Sequence, residues 1–317
     1  MSEPTAFPTS LVEAIRYFSD ENVCRDFVAR LRWPNGVTCI YCQSRQIGFI
    51  STRSLWRCKS CKQRFSVKKG TIFEDSPIPL SKWLPAIWMY SANKKGLSSH
   101  QLARNLGITQ KSAWFMSHRI RLALRTESFN RPLSGEVEAD ETFMGGKEKF
   151  KHEAKRKHPG QGPVGKQAVM GLLERHGEVR AKSVPNVRKQ ALQAEVRVNV
   201  EPGATLYTDA LRSYSGPAAE CVHEVIDHSE AYVRGRVHTN GVENFWSLFK
   251  RTIYGTHHSV EPFHLDRYLD EGTYRFNTRG MRDTTRFAQT VGRADGKRIT
   301  YQELIGKNDS VQRSETT

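Results

Sequence analysis

The sequence is organised around the stretch His238-Thr-Asn-Gly-Val-Glu243-Asn-Phe-Trp-Ser-Leu-Phe-Lys250-Arg251, which has the pattern of an amphipathic helix. Apolar residues recur there at the i, i+3, i+4, i+7 spacing of a core-facing stripe: Val242, Phe245, Trp246 and Phe249. A second stripe beside it carries Asn240, Glu243, Ser247 and Lys250, because residues three or four apart share one helix face. The stretch therefore predicts a packed helix that presents a carboxylate next to a lysine.

Glu243 has two interpretations. Asn240 followed three residues later by a glutamate forms the pattern of a capping box, in which Glu243 only stabilises the start of the helix. Alternatively, Glu243 is a functional carboxylate. The helix taken alone favours the capping interpretation, and acidic residues elsewhere in the chain favour the second.

Two further acidic residues lie on predicted strands. Asp140 belongs to the alternating segment Glu136–Met144, which stops at two glycines, and Asp209 ends the short apolar segment Thr205–Asp209. An aspartate at a strand end is commonly a turn former or a helix cap, so neither alone indicates catalysis. Three carboxylates together supply the oxygen ligands that Mg²⁺ prefers, and two such ions roughly 4 Å apart can clamp the oxygens of a phosphodiester.

These motifs resemble those of the DDE-type transposases of bacterial insertion sequences, more narrowly the ISXO-like group. The resemblance runs from about Cys39 to Tyr274. The segments that carry it are Val137-Glu-Ala-Asp140-Glu-Thr-Phe-Met-Gly-Gly146, Tyr207-Thr-Asp209 and the stretch from His238 to Lys250. It implies an α/β fold in which a zinc ribbon precedes an RNase H-like catalytic domain with a mixed sheet.

The resemblance also implies residue roles. Asp140, Asp209 and Glu243 correspond to the catalytic triad that binds Mg²⁺ or Mn²⁺, and Lys250 corresponds to a basic residue that contacts DNA near the scissile site. The group includes members with asparagine in the third position, so Asn240 is an alternative third ligand, or a residue that supports Glu243. Glu243 is preferred because a charged oxygen binds Mg²⁺ better.

Four of the six cysteines have the spacing of a metal site. Two C-x2-C pairs are separated by 15 residues, a pattern typical of a zinc ribbon: Cys39, Cys42, Cys58 and Cys61. Disulfides would require an oxidising compartment, which nothing else in the sequence indicates. Cys24 and Cys221 are expected to be small buried hydrophobic residues.

Charge and hydrophobicity restrict the partners. The chain of 317 residues has 49 basic and 33 acidic residues and a net charge of +16, which points to nucleic acid, although a ribosomal or membrane-surface role would fit the charge alone. The sequence has no apolar run of about 18 residues, and its start lacks the pattern of a secretion signal. We therefore expect a cytoplasmic, nucleoid-associated protein without a membrane span.

A helix-turn-helix is predicted after the ribbon. Ser98 caps one helix, Gly107 turns the chain, and Thr109 caps a second helix. A plain helical hairpin is the alternative. The residues expected to point outward and contact DNA are Lys111, His118 and Arg119 on the second helix, Arg234 and Arg236 before the Glu243 helix, and Lys250 and Arg251 at its end.

The predicted domains are an N-terminal helical arm (1–36), a zinc ribbon (37–75), a helix-turn-helix region (76–130), the RNase H-like catalytic domain (131–285) and a partly disordered C-terminal extension (286–317). The catalytic domain is expected to contain three strands, a helix, two further strands and the Glu243 helix. This order places Asp140 and Asp209 on neighbouring central strands, facing Glu243.

The predicted function is that of a transposase, acting as a homo-oligomer on DNA. It would bind the terminal inverted repeats of an insertion element and catalyse metal-dependent strand cleavage and strand transfer into target DNA. Two alternatives stay open: an RNase H-like nuclease that cuts without joining, and a zinc-ribbon DNA-binding regulator whose carboxylates are structural.

Overall fold

The computed structural model describes residues 7–125, 131–146, 152–153, 165–209, 221–226 and 238–307. The chain divides into two compact units, one made of Met1–Leu124 with Met281–Thr317 and the other of Arg125–Gly280. Among the described residues, no helix is long and apolar enough to cross a membrane.

The first unit begins with helices α1 (Leu11–Tyr17) and α2 (Glu21–Arg32). A three-stranded antiparallel sheet follows, in the order β1 (Ile47–Ile50), β2 (Leu55–Cys58) and β3 (Arg64–Phe65), with a 3-10 turn at Ser51–Arg53. Trp56 and Phe65 pair across β2 and β3 and are both buried, so aromatic residues form the small core of this sheet.

Helices α3 (Leu80–Ala92), α4 (Ser99–Leu106) and α5 (Gln110–Leu124) come next. The predicted caps of α4 and α5 are present. The Ser98 hydroxyl accepts the Gln101 amide, Gly107 has a φ of 60°, and the Thr109 hydroxyl accepts the Ser112 amide. A left-handed residue ends a helix at low cost when it is glycine, which explains the turn at this position.

Two C-terminal helices, α9 (Asp283–Gly292) and α10 (Tyr301–Leu304), belong to this same unit. Phe287 of α9 is fully buried and stacks on Phe27 of α2, with ring centroids 5.6 Å apart. Residue 286, where the C-terminal extension was expected to begin, lies inside α9. The last ten residues, 308–317, lie outside the described part of the chain.

The described part of the second unit contains a five-stranded sheet and three α-helices, in the predicted order. Its elements are β4 (Glu136–Met144), β5 (Gln167–Glu174), β6 (Val179–Val184), α6 (Lys189–Asn199), β7 (Thr205–Asp209), β8 (Val222–Ile226), α7 (Asn240–Thr252) and α8 (Leu265–Asn277), with a π-helical turn at Ile253–His257 and a 3-10 turn at Pro262–His264.

The sheet of this unit is mixed, as predicted. Its strand order is β6-β5-β4-β7-β8, in which β4, β5 and β6 pair antiparallel, and β7 runs parallel to both β4 and β8. The first and fourth strands of the unit, β4 and β7, are therefore neighbours at its centre. This arrangement agrees with an RNase H-like fold.

Helices cover both faces of the sheet. Val137 and Ala139 of β4 are buried in a core with α6, whereas Val169 and Leu173 of β5 are buried in a second core with α7 and α8. Successive side chains of a strand point to opposite faces. Because Val137 and Ala139 face α6, the even-numbered residues Glu138 and Asp140 lie on the face that α7 covers.

Candidate active site and metal sites

Asp140 and Asp209 lie at equivalent positions of neighbouring strands. The parallel register of β4 and β7 pairs Glu138 with Tyr207, and each aspartate is two residues further along its own strand. Leu206 belongs to the α6 core, so Asp209 shares the opposite face with Asp140. Adjacent strands are about 4.8 Å apart, which brings the two carboxylates side by side.

Helix α7 places Glu243 over the same face. The predicted apolar stripe is buried against the sheet at Val242, Phe245, Trp246 and Phe249, and Glu243 lies exposed beside it. The helix begins at Asn240 with Thr239 as its N-cap, so Asn240 is not the cap and the proposed capping box does not form. Instead, the Thr239 hydroxyl donates to Glu243 Oε1 at 2.7 Å.

The charges of Asp209, Glu243 and Lys250 all act on the pKa of Asp140. Burial, followed by the charge of Asp209, raises the pKa of Asp140 to about 6, and the charge of Glu243 acts in the same direction. Lys250 and a hydrogen bond from the Glu141 amide, 2.8 Å from Asp140 Oδ1, act in the opposite direction on this pKa. Asp209, Glu243 and Lys250 therefore all lie within electrostatic reach of Asp140.

The donor chemistry of these side chains suits a hard divalent cation, but Asp140, Asp209 and Glu243 do not form a group whose carboxylate oxygens all lie within 4.8 Å of one another. The donors are carboxylate oxygens, which Mg²⁺ and Mn²⁺ prefer. The pKa of Asp140 is raised first by burial and then by the negative charges of Asp209 and Glu243, and a bound cation would offset those charges. A perturbed pKa among several acidic side chains is also typical of functional sites.

The four ribbon cysteines form a closed metal site. Cys39 Sγ lies 3.6 Å from Cys61 Sγ, and Cys42 Sγ lies 3.6 Å from Cys58 Sγ. A tetrahedron with bonds of about 2.3 Å to zinc requires sulfurs about 3.8 Å apart, so the cluster fits Zn²⁺. Among the described residues, these cysteines are the one group of three or more ligating side chains whose ligand atoms all lie within 4.8 Å of each other.

The cysteines outside the cluster differ from each other. Cys24 is fully buried, as predicted, and its thiol donates to the Phe18 carbonyl. Burial raises the pKa of Cys24 to about 12, which keeps it protonated. Cys221 is only partly buried, contrary to the prediction, because it lies at the edge of the α6 core.

The predicted outward face of α5 is only partly exposed. Lys111 is exposed, and its ammonium lies 4.9 Å from the centre of the Tyr301 ring. His118 and Arg119 are 0% and 5% exposed, so the expectation that they point outward is wrong. Tyr301 of the C-terminal segment packs on Phe115, and the Arg119 guanidinium stacks on that same Phe115 ring at 4.3 Å. His118 packs on Trp114 of its own helix, with ring centroids 4.6 Å apart.

The basic residues around α7 fall into two groups. Lys250 is partly buried, and its charge acts to lower the pKa of Asp140. Arg251 is exposed and donates a hydrogen bond to the carbonyl of Ser247 in its own helix. Arg234 and Arg236 lie outside the described residues.

Sequence reasoning missed two charged residues beside the site, Glu138 and Arg175. Glu138 is 1% exposed, and Arg175 Nε donates to Glu138 Oε1 at 2.9 Å. The sequence does indicate the position of Glu138, because residues two apart on a strand lie on the same face, so Glu138 must share the face of Asp140. Arg175, in the turn after β5, had no such signal.

A zinc ribbon and a mixed sheet with acidic residues on its first and fourth strands and on the following helix are typical of DDE-type transposases. Residues 132–277 match the ISXO2-like transposase domain, and residues 19–64 match the transposase zinc-ribbon domain. The chain belongs to the ISXO2-like transposase family.

One curated relative and one solved structure extend the comparison. The chain is 30% identical over 276 residues to an uncharacterized protein in transposable element ISH50 of Halobacterium salinarum (strain ATCC 700922 / JCM 11081 / NRC-1), covering 80% of this chain and 90% of that protein. The crystal structure of a pre-cleavage Mos1 transpososome matches with a TM-score of 0.24 and 13% identity, over 68% of this chain and 79% of that chain. A score this low does not establish a shared fold.

Proposed function

We propose that this transposase cleaves DNA at the ends of its insertion element and joins the freed 3′ ends to target DNA, using Asp140, Asp209 and Glu243 as metal ligands. The observation that supports the proposal is that the charges of Asp209, Glu243 and Lys250 all act on the buried carboxyl group of Asp140. Mg²⁺ or Mn²⁺, when bound, would activate the attacking oxygen and stabilise the leaving oxygen of the phosphodiester.

Each side chain of the site has a distinct role in this proposal. Asp140 and Asp209 hold the cation from two neighbouring strands, and Glu243 completes the ligand set from α7. Thr239 fixes the direction of the Glu243 carboxylate through its hydrogen bond to Oε1. Lys250 binds a DNA phosphate beside the cation. Asn240, exposed in the first turn of α7, is the alternative third ligand.

The remainder of the chain holds DNA. We propose that the zinc ribbon and the helix-turn-helix bind the terminal inverted repeats, with Lys111 on a phosphate. Arg251, Arg234 and Arg236 contact DNA near the cut. A net charge of +16 supports a phosphate-binding surface, and such binding weakens with salt. We also propose that two catalytic subunits hold the two element ends, so that the active form is a homo-oligomer on DNA, acting on the nucleoid in the cytoplasm.

The test is cleavage and joining of labelled DNA that carries the element ends, with Mg²⁺ or Mn²⁺ and a target plasmid. Wild type is compared with Asp140→Asn, Asp209→Asn and Glu243→Gln. Glu261→Gln is the matched control, because Glu261 is an exposed glutamate in the same unit. Joined products are expected for wild type and for the control, with none above background for the three site variants.

The outcomes separate the rival functions. Cleaved but unjoined DNA would indicate a nuclease of the same fold. DNA binding with no cut by wild type in either metal would indicate a regulator and overturn the proposal. Asn240→Ala, run beside Glu243→Gln, identifies the third ligand, because only the variant that removes a ligand should abolish cleavage.

A further inference from the structure

A buried carboxylate outside the proposed ligand set lies next to the active site. Glu138 is on the α7 face of β4, two residues before Asp140, and only 1% of it is exposed. Burying an ionised carboxylate is costly unless charged and hydrogen-bonding partners surround it. The partners of Glu138 therefore indicate why the chain retains a charge at this position.

Both oxygens of Glu138 are engaged, and by different elements. Oε1 accepts a hydrogen bond from Arg175 Nε at 2.9 Å and lies 3.3 Å from His238 Nδ1. Oε2 accepts the backbone amide of Val242, in the first turn of α7, at 3.0 Å. Glu138 thus joins the strand of Asp140 to the start of the helix that carries Glu243.

The amide of Val242 has particular importance because the first amides of a helix have no partner within the helix. The N-cap residue Thr239 makes no side-chain hydrogen bond to these amides. Glu138 supplies the acceptor from the sheet, and its negative charge also suits the positive end of the helix dipole.

Gly241 allows this close approach. A Cβ at that position would lie 2.8 Å from Glu138 Oε2 and would also collide with the Leu173 side chain. Any residue larger than glycine would therefore push the first turn of α7 away from β4 and β5.

Arg175 extends the connection to the strand of Asp209. Its Nη2 donates to the His238 carbonyl at 2.8 Å, which holds the chain just before α7. Its guanidinium lies 4.1 Å from the centre of the Tyr207 ring, and Tyr207 is two residues before Asp209 on β7. The Tyr207 hydroxyl in turn donates to Glu136 Oε1 at 2.8 Å. Arg175 thus contacts the two strands that carry Asp140 and Asp209, and the residue His238 just before the helix that carries Glu243.

We propose that Glu138 and Arg175 are positioning residues of the active site. They fix the first turn of α7 against β4 and β7, and thereby fix the distance of Glu243 from Asp140 and Asp209. Neither residue touches DNA or metal. The inference rests on the proposed function, because it assigns the two residues a role in holding the ligands of that site.

The test compares wild type with Glu138→Gln and Arg175→Lys in the full-length protein. Glutamine keeps the shape and an acceptor but loses the charge, and lysine keeps a charge but loses the forked geometry that reaches both Glu138 and His238. Mn²⁺ affinity is measured without DNA by electron paramagnetic resonance of the free ion. Hydrogen exchange of the peptide covering 238–245 reports the first turn of α7, and cleavage kinetics separate kcat from KM.

Each variant is expected to weaken Mn²⁺ binding and to lower kcat by about 10- to 100-fold, as for residues that orient metal ligands elsewhere. KM for DNA should stay within about twofold, and exchange in 238–245 should be faster than in wild type. The matched control is Glu174→Gln, which also removes a carboxylate paired with an arginine of this unit, Arg131 at 2.9 Å. It should change neither Mn²⁺ affinity nor exchange at α7.

Three results would overturn the inference. The first is unchanged Mn²⁺ affinity and unchanged exchange in both variants, with an active wild type. The second is loss of Mn²⁺ binding by Glu138→Gln with normal exchange at α7, which would make Glu138 a ligand. The third is a wild type that neither binds Mn²⁺ nor cleaves, which would overturn the proposed function itself. If Glu138→Gln does not fold, Arg175→Lys carries the same comparison.

Discussion

Gly171 lies directly opposite Asp140 in the antiparallel pairing of β4 and β5, on the face of the sheet that α7 covers. A Cβ on Gly171 would lie 2.6 Å from Cζ2 of the buried Trp246, and 3.1 Å from Cγ2 of Val242. The missing side chain therefore sets how closely the helix of Glu243 approaches the strand of Asp140.

Gly171→Ala is expected to displace α7, because the indole of Trp246 is packed in a core and cannot yield at low cost. Overpacking of this kind typically costs about 1 to 3 kcal/mol of unfolding free energy. Cleavage should fall more steeply than stability, since Glu243 moves relative to Asp140. Gly255→Ala is the control, because a Cβ there meets nothing within 4 Å. Equal loss of cleavage in both variants would contradict this account.

Lys250→Ala is expected to reduce cleavage far more than Arg251→Ala. Lys250 acts on Asp140, whereas Arg251 is exposed and bonded to Ser247 of its own helix. The two variants remove the same charge from adjacent positions, so nonspecific attraction of DNA falls equally. Single-turnover cleavage at saturating DNA isolates the local effect. Similar rates for the two variants would remove Lys250 from the active site.

The full-length protein is expected to bind one structural zinc ion per chain. Cys58→Ser should abolish zinc binding and unfold the ribbon, because a structural zinc site supplies much of the folding free energy of a domain this small. Cys221→Ser should retain one zinc, since Cys221 lies outside the cluster. Elemental analysis of the purified proteins measures the ratio. A zinc content unchanged in Cys58→Ser would contradict the four-cysteine site.

The sequence predicted the features that local pattern determines. The alternation of polar and apolar residues predicted β4 and the position of Asp140 on it. The helical spacing of apolar residues predicted that Val242 and Phe249 are buried, and the C-x2-C spacing predicted the zinc cluster. Each of these features depends on residues close together in the chain. The neighbouring positions of β4 and β7 join distant segments, and they were expected from the resemblance and the order of the elements.

Features that depend on distant segments were predicted less well. The burial of Arg119 is caused by Phe115 together with the C-terminal segment around Tyr301, roughly 180 residues away from Arg119 in sequence. The role of Glu138 depends on Arg175 and on the first turn of α7. The pattern of a single helix cannot reveal a second element that covers it, so His118 and Arg119 were expected to be exposed although they are buried.

The two basic residues of α5 are expected to respond differently to substitution. Arg119→Ala should lower the melting temperature, because it removes a buried side chain that stacks on Phe115. Lys111→Ala should leave the melting temperature unchanged and weaken DNA binding, with a smaller dependence of affinity on salt. Calorimetry and salt titrations of binding measure both. A destabilised Lys111→Ala, or an Arg119→Ala that affects DNA affinity alone, would reverse these assignments.

Glu174 gives the catalytic unit a pH-dependent contribution to stability. Hydrogen bonds from Arg131, then from Ser134, lower the pKa of Glu174 to about 2. The pKa of a glutamate in an unfolded chain is about 4.3, so ionised Glu174 is more stable in the folded state than in the unfolded state. This contribution is complete above the unfolded pKa and is lost as pH falls through the folded pKa.

Glu174→Gln is therefore expected to lower the unfolding free energy at pH 7 by about 1 kcal/mol, a modest value because Arg131 is half exposed and water screens the pair. The difference from wild type should shrink below about pH 4 and vanish only below about pH 2, because Glu174 is then protonated in the folded and the unfolded state. Calorimetric unfolding of the two full-length proteins across this range measures the difference directly, and the other carboxylates cancel in the comparison. A difference independent of pH would mean that the shape of the Glu174 side chain, and not its charge, stabilises its contacts with Arg131 and Ser134 before β4.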